Sequence, residues 1–269
     1  MKTLKVLLIV ILVIITALFA ATNVSRRISG VEEPPVISCS SDTLEVSITA
    51  SNGELLQGIT AKDPQDGDLT AHVQIAGISK FIGDKTAKVT YVVFDSDHNM
   101  DSLSRYVRYT DYVSPKFFIK EPLIFYRNES VDVMPRLQVL DVVDGDISDQ
   151  VRISSLQSTD DPELFYASAQ VTNSMGDLVS VVLPVIQVRS VALIPEVQLT
   201  SYLVHLSQGT SFNPRDYVLR VETPDGNGNT DRIQISGSVD TKVPGTYYIR
   251  YEYIHDTQVG TTILTVVVQ

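Results

Sequence analysis

The chain has no tryptophan, a single cysteine and four histidines among its 269 residues. A lone thiol cannot close an intrachain disulfide, so every domain must hold by packing alone. Cys39 reads as a half-buried small apolar residue; it lies too far past the N-terminal apolar segment to be a lipidated cysteine. His72, His98, His205 and His255 stand singly, without the H-x-H or H-E-x-x-H spacing that would bring two imidazoles to one zinc ion. No G-x-S-x-G elbow, S-x-x-K motif, Walker loop or Rossmann glycine pattern is present. The expectation is a protein that is not an enzyme, with no catalytic, cofactor-binding or metal-ligating residue. Positive charge is also scarce. Lys2, Lys5, Arg26 and Arg27 against Glu32 and Glu33 leave the first 34 residues at +2, so the rest carries −13 of the formal −11. Such a surface repels phosphate backbones, and nucleic acid is not an expected partner.

What the sequence has in abundance is strand formers. Val, Ile, Thr and Tyr recur throughout, while helical periodicity is confined to the first twenty residues, so the fold class is all-β. Val6–Ala21 runs without charge, glycine or proline after the basic leader Met1–Lys5. Sixteen residues is long for a signal-peptide core of ~7–15 and just short of the ~17–25 usual for a spanning helix. Cleavage after Ala20 or Ala21 would place Leu18 or Phe19 where a small residue is preferred, which favours an uncleaved anchor over a cleaved signal. The expected partner of this helix is the membrane. The expected localisation is single-pass with the C-terminal ectodomain outside, or secreted if the segment is removed. No L-P-x-T-G motif stands at the end of the sequence, so wall sorting by that route is not expected. Residues 22–34, closing on Glu-Glu-Pro-Pro, read as a stiff stalk.

Internal repetition organises the remainder. Asp63–Ile75 and Asp141–Ile153 both fit D-x-x-D-G-D-[LI]-[ST]-x-x-V-x-I, at an offset of 78 that also carries Asp95 onto Asn173 and Asn99 onto Asp177. At an offset of 160, Val73-Gln-Ile75-Ala-Gly77 matches Ile233-Gln-Ile235-Ser-Gly237, and Tyr91 falls on Tyr251. Pro35, Pro115 and Pro195 each precede a short apolar strand, a place where proline forfeits no ladder hydrogen bond. Alternation at Leu44, Val46 and Ile48, at Val89, Tyr91 and Val93, and at Tyr247, Ile249, Tyr251 and Tyr253 predicts half-buried strands. The expected organisation is a membrane anchor or signal segment with its stalk over 1–34, then three tandem immunoglobulin-like antiparallel β-sandwiches over 35–112, 113–190 and 191–269.

Two groups of residues invite a binding role. Asp63, Asp66 and Asp68, with Asp141, Asp144 and Asp146, offer hard oxygens, yet their spacing is not that of an EF-hand. Tight turns account for them instead: Gly67 and Gly145 at positive φ, with carboxylates bonding nearby backbone N–H groups. Asp95, Asp97, Asn99 and Asp101 alternate as a hairpin tip. The tyrosine-rich strand 247–253 could present a sugar- or protein-binding platform, but core packing explains one face of it, and Tyr247 could anchor a loop in the manner of a tyrosine corner.

The D-x-x-D-G-D-L-T turn followed by V-x-I-x-G and G-x-Y-x-[IV]-x-Y resembles the bacterial Ig-like repeat of surface and crystal-toxin-type proteins. The third copy is most similar, through Gly209–Val218, Ile235–Asp240 and Gly245–Tyr251; the second keeps the turn but loses the later G-x-Y. The resemblance implies a non-catalytic extracellular adhesion or interaction module, or a spacer, at a bacterial cell surface, with an unidentified protein or glycan as partner. An envelope carbohydrate-binding or accessory module is the alternative, against which the lack of tryptophan counts.

Overall fold

The computed structural model describes residues 11–21, 33–127, 129–188 and 194–269. Among these residues each repeat contributes seven strands. The first holds β1 (Val36–Cys39), β2 (Thr43–Val46), β3 (Ile59–Asp63), β4 (Gly67–Asp68), β5 (Gln74–Ile78), β6 (Thr86–Phe94) and β7 (Met100–Tyr109). The second holds β8 (Lys116–Ile119), β9 (Ile124–Tyr126), β10 (Leu137–Asp141), β11 (Gly145–Asp146), β12 (Arg152–Ser158), β13 (Leu164–Thr172) and β14 (Leu178–Val188). The third holds β15 (Glu196–Leu199), β16 (Leu203–Leu206), β17 (Val218–Thr223), β18 (Gly226–Asn227), β19 (Gln234–Ser236), β20 (Gly245–His255) and β21 (Gln258–Val268). Every repeat has the same topology: a three-stranded sheet in the order first-third-fourth and a four-stranded sheet in the order second-seventh-sixth-fifth. The three sheet pairs are Ig-like sandwiches. Pro35, Pro115 and Pro195 stand immediately before β1, β8 and β15.

One expectation is corrected. The sandwiches are not purely antiparallel, because β9 pairs parallel with β14, and β16 pairs parallel with β21. The chain pairs first in one sheet, as in β8 with β10. It then breaks and crosses to the other, where the open edge belongs to the last strand of the repeat. In the second sandwich the break falls at Pro122, which has no N–H to continue a ladder. Side-chain alternation is the same in parallel and antiparallel strands, so the pattern alone does not reveal this direction.

Residues 11–21 form a helix, α1. Among the described residues no helix is long and apolar enough to cross a membrane. Val6–Val10 of the expected anchor, and residues 22–32 of the expected stalk, lie outside the described residues. A short α-helix, α2 (Asn52–Leu55), opens on a capping box in which Ser51 and Glu54 satisfy each other's backbone N–H groups.

The strands form two compact units. One contains Ala50–Ile78 and Ala87–Arg108 together with the described residues up to Leu44. Its core includes Ala61, Val89, Tyr91, Val93 and Val107, all fully buried, as the alternation on β6 requires.

The other contains Glu45–Thr49, Ser79–Thr86 and Tyr109–Gln269, and therefore the whole of the second and third sandwiches. Their interiors form a single hydrophobic cluster, from Phe117, Val139 and Leu183 to Leu203, Ile249 and Leu264. The junction is visible on β14: Leu183 and Val185 fill the sandwich interior, yet Pro184 and Ile186 on the opposite face are buried too. Across it, the Tyr248 hydroxyl donates to the Val182 carbonyl at 3.0 Å, and the Tyr166 and Tyr248 rings lie 5.3 Å apart. The His205 ring bonds the Phe117 carbonyl through Nε2 at 2.9 Å.

Candidate functional site

The aspartate turns are built alike in the first two sandwiches. Asp63 Oδ1 accepts from the backbone N–H groups of Gln65 and Asp66, and Asp141 Oδ1 from those of Val143 and Asp144. Gly67 and Gly145 hold φ of 79° and 76°, the left-handed conformation the turn needs. The second aspartate reaches to the β6–β7 or β13–β14 hairpin. Asp66 accepts from the N–H and hydroxyl of Ser96, and Asp144 from those of Ser174. The third starts the next turn of chain: Asp68 accepts from Thr70 N–H and Asp146 from Ser148. The Ser148 hydroxyl, with Gln138 behind it, holds the Asp146 carboxyl down at about 2. The bonds to Thr70 lower Asp68 in the same way. The aspartates are thus tied into the turns that join the two sheets.

The two hairpins are near-copies with one exchange. Asp95 Oδ1 accepts the Asn99 N–H at 2.7 Å, and Asn173 Oδ1 accepts the Asp177 N–H at 2.9 Å. In the second sandwich Asn173 is buried, and its amide nitrogen donates to Asp141 Oδ2 at 3.0 Å and to the Tyr112 hydroxyl at 2.8 Å. Tyr112 in turn donates to Asp177 at 2.7 Å. Burial first, and the Asp177 carboxylate next, push the Tyr112 hydroxyl well above the usual phenol range. In the first sandwich Asp95 stands at the Asn173 position, and Asp63 Oδ2 is buried with no hydrogen-bond partner. The third sandwich joins turn to hairpin differently, with Asp225 Oδ2 3.0 Å from His255 Nε2.

The tyrosines of the 247–253 strand, read from the sequence as packing rather than as a platform, bond within the fold at Tyr247, Tyr248 and Tyr251. Tyr251 is fully buried and donates to the Pro214 carbonyl at 2.7 Å, just as Tyr91 donates to Leu55. Tyr247 donates to the Val243 carbonyl four residues upstream, the loop anchor anticipated for it. Tyr248 belongs to the junction of the second and third sandwiches. The remaining sequence candidates do not converge. His72 ends a 3-10 turn, His98 sits in a hairpin at φ 71°, and His205 lies within β16, where burial lowers its pKa. Cys39 is free and half-buried. Among the described residues no three His, Cys, Asp or Glu side chains gather as metal ligands.

A feature that sequence reasoning missed is a cleft of about 310 Å³ between the second and third sandwiches, lined by Glu121, Tyr126, Arg136, Glu196 and Tyr202 among others. Arg136 braces its wall. The guanidinium lies 4.2 Å over the Phe125 ring and donates to the carbonyls of Pro122 and Ile124. Also missed was Arg105, buried in the core of the first sandwich. The period of two on β7 does place it inward with Val107 and Tyr109, and that alternation is the signal that could have found it.

Residues 200–267 match the family of bacterial surface protein, Ig-like domain, which bears out the resemblance for the third sandwich. No curated protein matches the chain. Among solved structures, one of a second CBM51 module in complex with GlcNAc and INT domains from Clostridium perfringens ZmpB is 20% identical, covering 52% of this chain and 29% of its own, with a TM-score of 0.24. A lipoprotein from Bacteroides thetaiotaomicron is 11% identical over 86% of this chain and 98% of its own, with a TM-score of 0.22. Domains 4–9 of the surface layer protein SbsC are 12% identical over 87% of this chain and 50% of theirs, with a TM-score of 0.20. The chain spans between 29% and 41% of the length of the three ZmpB structures.

Proposed function

We propose that the chain is a non-catalytic, membrane-anchored extracellular protein, an adhesion or interaction module or a spacer at the bacterial cell surface. The observation that carries this reading is the match of the third sandwich to bacterial surface Ig-like domains. The use made of the polar residues supports it: the carboxylates and tyrosines that could have formed a reactive cluster bond backbone groups instead. The apolar run from Val6 to Ala21 supports anchorage, with the sandwiches on the outer side. Membrane fractionation, N-terminal sequencing and protease treatment of intact cells test the proposal. An intact N-terminus in the membrane fraction, with the sandwiches removed by external protease, is the expected result. A mature chain released after about Ala20 would make it a secreted protein instead.

A second reading, a module for envelope carbohydrate, draws on the cleft with Tyr126 and Tyr202 in its wall, since aromatic rings beside carboxylates suit a sugar's mixed faces. A glycan array on the purified protein, with Tyr126→Ala as control, separates it from the first. Binding that Tyr126→Ala abolishes favours the carbohydrate module, and silence across the array removes it.

A further inference from the structure

We propose that Asp63 and Asp95 of the first sandwich hold a hard divalent cation, calcium by its ligand chemistry, at the point where the second sandwich places the amide of Asn173. The two turns share the Oδ1 bonds that fix the first aspartate, and the two hairpins share the Oδ1 bonds that fix residue 95 or 173. With both ends held the same way, the Asp95 carboxylate corresponds to the Asn173 amide. Asn173 Nδ2 lies 3.0 Å from Asp141 Oδ2. The same construction in the first sandwich puts a carboxylate where the second has the amide donor to Asp141.

Asp63 is more than nine-tenths buried, and its Oδ2 has no hydrogen-bond partner. A buried carboxylate oxygen without a donor is unfavourable unless something positive meets it. The other sandwiches avoid that problem within the protein. The second supplies the amide. The third has Thr223 in place of Asp63 at the foot of its hairpin turn, and that hydroxyl bonds Gly226. Only the first presents a carboxylate on both sides. Asp95 has a further bond, from Asn99 Nδ2 to its Oδ2 at 2.8 Å. Against a desolvation that would raise its pKa, the Asn99 bonds bring it below the ordinary value.

Asp95 is also only half-buried, unlike Asn173, so an ion can enter from solvent. Two carboxylates leave the rest of the coordination shell to water and carbonyl oxygens. Affinity then falls in the weak range of extracellular modules, a Kd of about 10⁻⁴ to 10⁻³ M.

The test is calorimetric titration of the chelator-treated full-length protein with calcium chloride, run beside its melting curve and beside Asp95→Asn. The expected result is one calcium per chain in that range. Calcium should raise the melting transition of the wild type. In Asp95→Asn both effects disappear, and the transition in chelator moves up, because the amide restores the bond seen at Asp141. No heat and no calcium-dependent shift in the wild type would overturn the proposal. Retention of calcium binding by Asp95→Asn would also overturn it, placing the ion elsewhere. So would a wild type indifferent to calcium but stabilised on acidification in a manner that Asp95→Asn abolishes, since the pair would then share a proton.

Discussion

Arg105 donates its Nε hydrogen to the hydroxyl of Tyr91 at 3.0 Å, deep in the hydrophobic core of the first sandwich. The guanidinium lies 5.3 Å from the ring centre and also bonds the Leu55 carbonyl, while its Nη1 has no partner. The repeat places Leu183 and Leu264 at this position in the other two sandwiches, both fully buried. Burying a guanidinium without a carboxylate is expensive, and a well-packed aliphatic side chain avoids the desolvation. Arg105→Leu is therefore expected to stabilise the first sandwich, by on the order of 1–4 kcal/mol. Chemical denaturation measures it; a loss of stability would mean that the Tyr91–Leu55 bridge outweighs the buried charge.

Alkaline pH should weaken the unit formed by the second and third sandwiches. Burial pushes the Tyr248 hydroxyl up to about 12 and raises Tyr251 and Tyr112 as well. A tyrosine whose folded pKa exceeds its unfolded value of about 10 adds stability that is fully present below pH ~10. That stability is lost as pH rises through the folded value. Melting temperature should stay level up to about pH 10 and then fall, and Tyr248→Phe should shallow the fall. A profile unchanged in Tyr248→Phe would mean that this hydroxyl is open to solvent.

Gly260 marks a close approach of backbones within the third sandwich. A Cβ built there would stand 1.8 Å from the Pro195 carbonyl oxygen and 2.7 Å from its carbon. Neither atom belongs to a flexible side chain, so β21 and the start of β15 would have to separate. Gly260→Ala is expected to cost about 3 kcal/mol or more, read from urea unfolding. A near-neutral outcome would show that the strands part easily.

The bond between turn and hairpin is open to a double-mutant cycle. Asp144 accepts the Ser174 N–H at 2.6 Å and its hydroxyl at 2.7 Å. Asp144→Ala should cost about 1–3 kcal/mol, Ser174→Ala less, since the N–H bond survives it. The coupling energy should be about 0.5–1.5 kcal/mol. The same cycle on Asp66 and Ser96 should return a similar value; strict additivity in both would show that water replaces the serine hydroxyl.

Much of the repeat is legible in the sequence. The offset of 78 carries Asp95 onto Asn173 and Asn99 onto Asp177, and the structure gives those residues matching hairpin bonds. Gly67 and Gly145 announce positive φ because no side chain fits that turn as easily. Tyr91 and Tyr251, aligned by the offset of 160, donate the same kind of loop-anchoring bond. Local chemistry and spacing suffice for such features, since each depends on a few residues close in the chain or on one strand face.

What the sequence by itself determined is the all-β class, the turn chemistry and the alternation that chooses each strand's inner face. Those follow from backbone sterics, hydrogen-bond donors near at hand and the period of two. Only the tertiary structure decided that β9 and β16 run parallel to the last strands of their sandwiches, and that the second and third cores merge around Tyr248. It alone left Asp63 Oδ2 without a donor. These depend on which surfaces meet across the fold, and burial makes a group's fate hinge on distant neighbours rather than on the residues beside it in the chain.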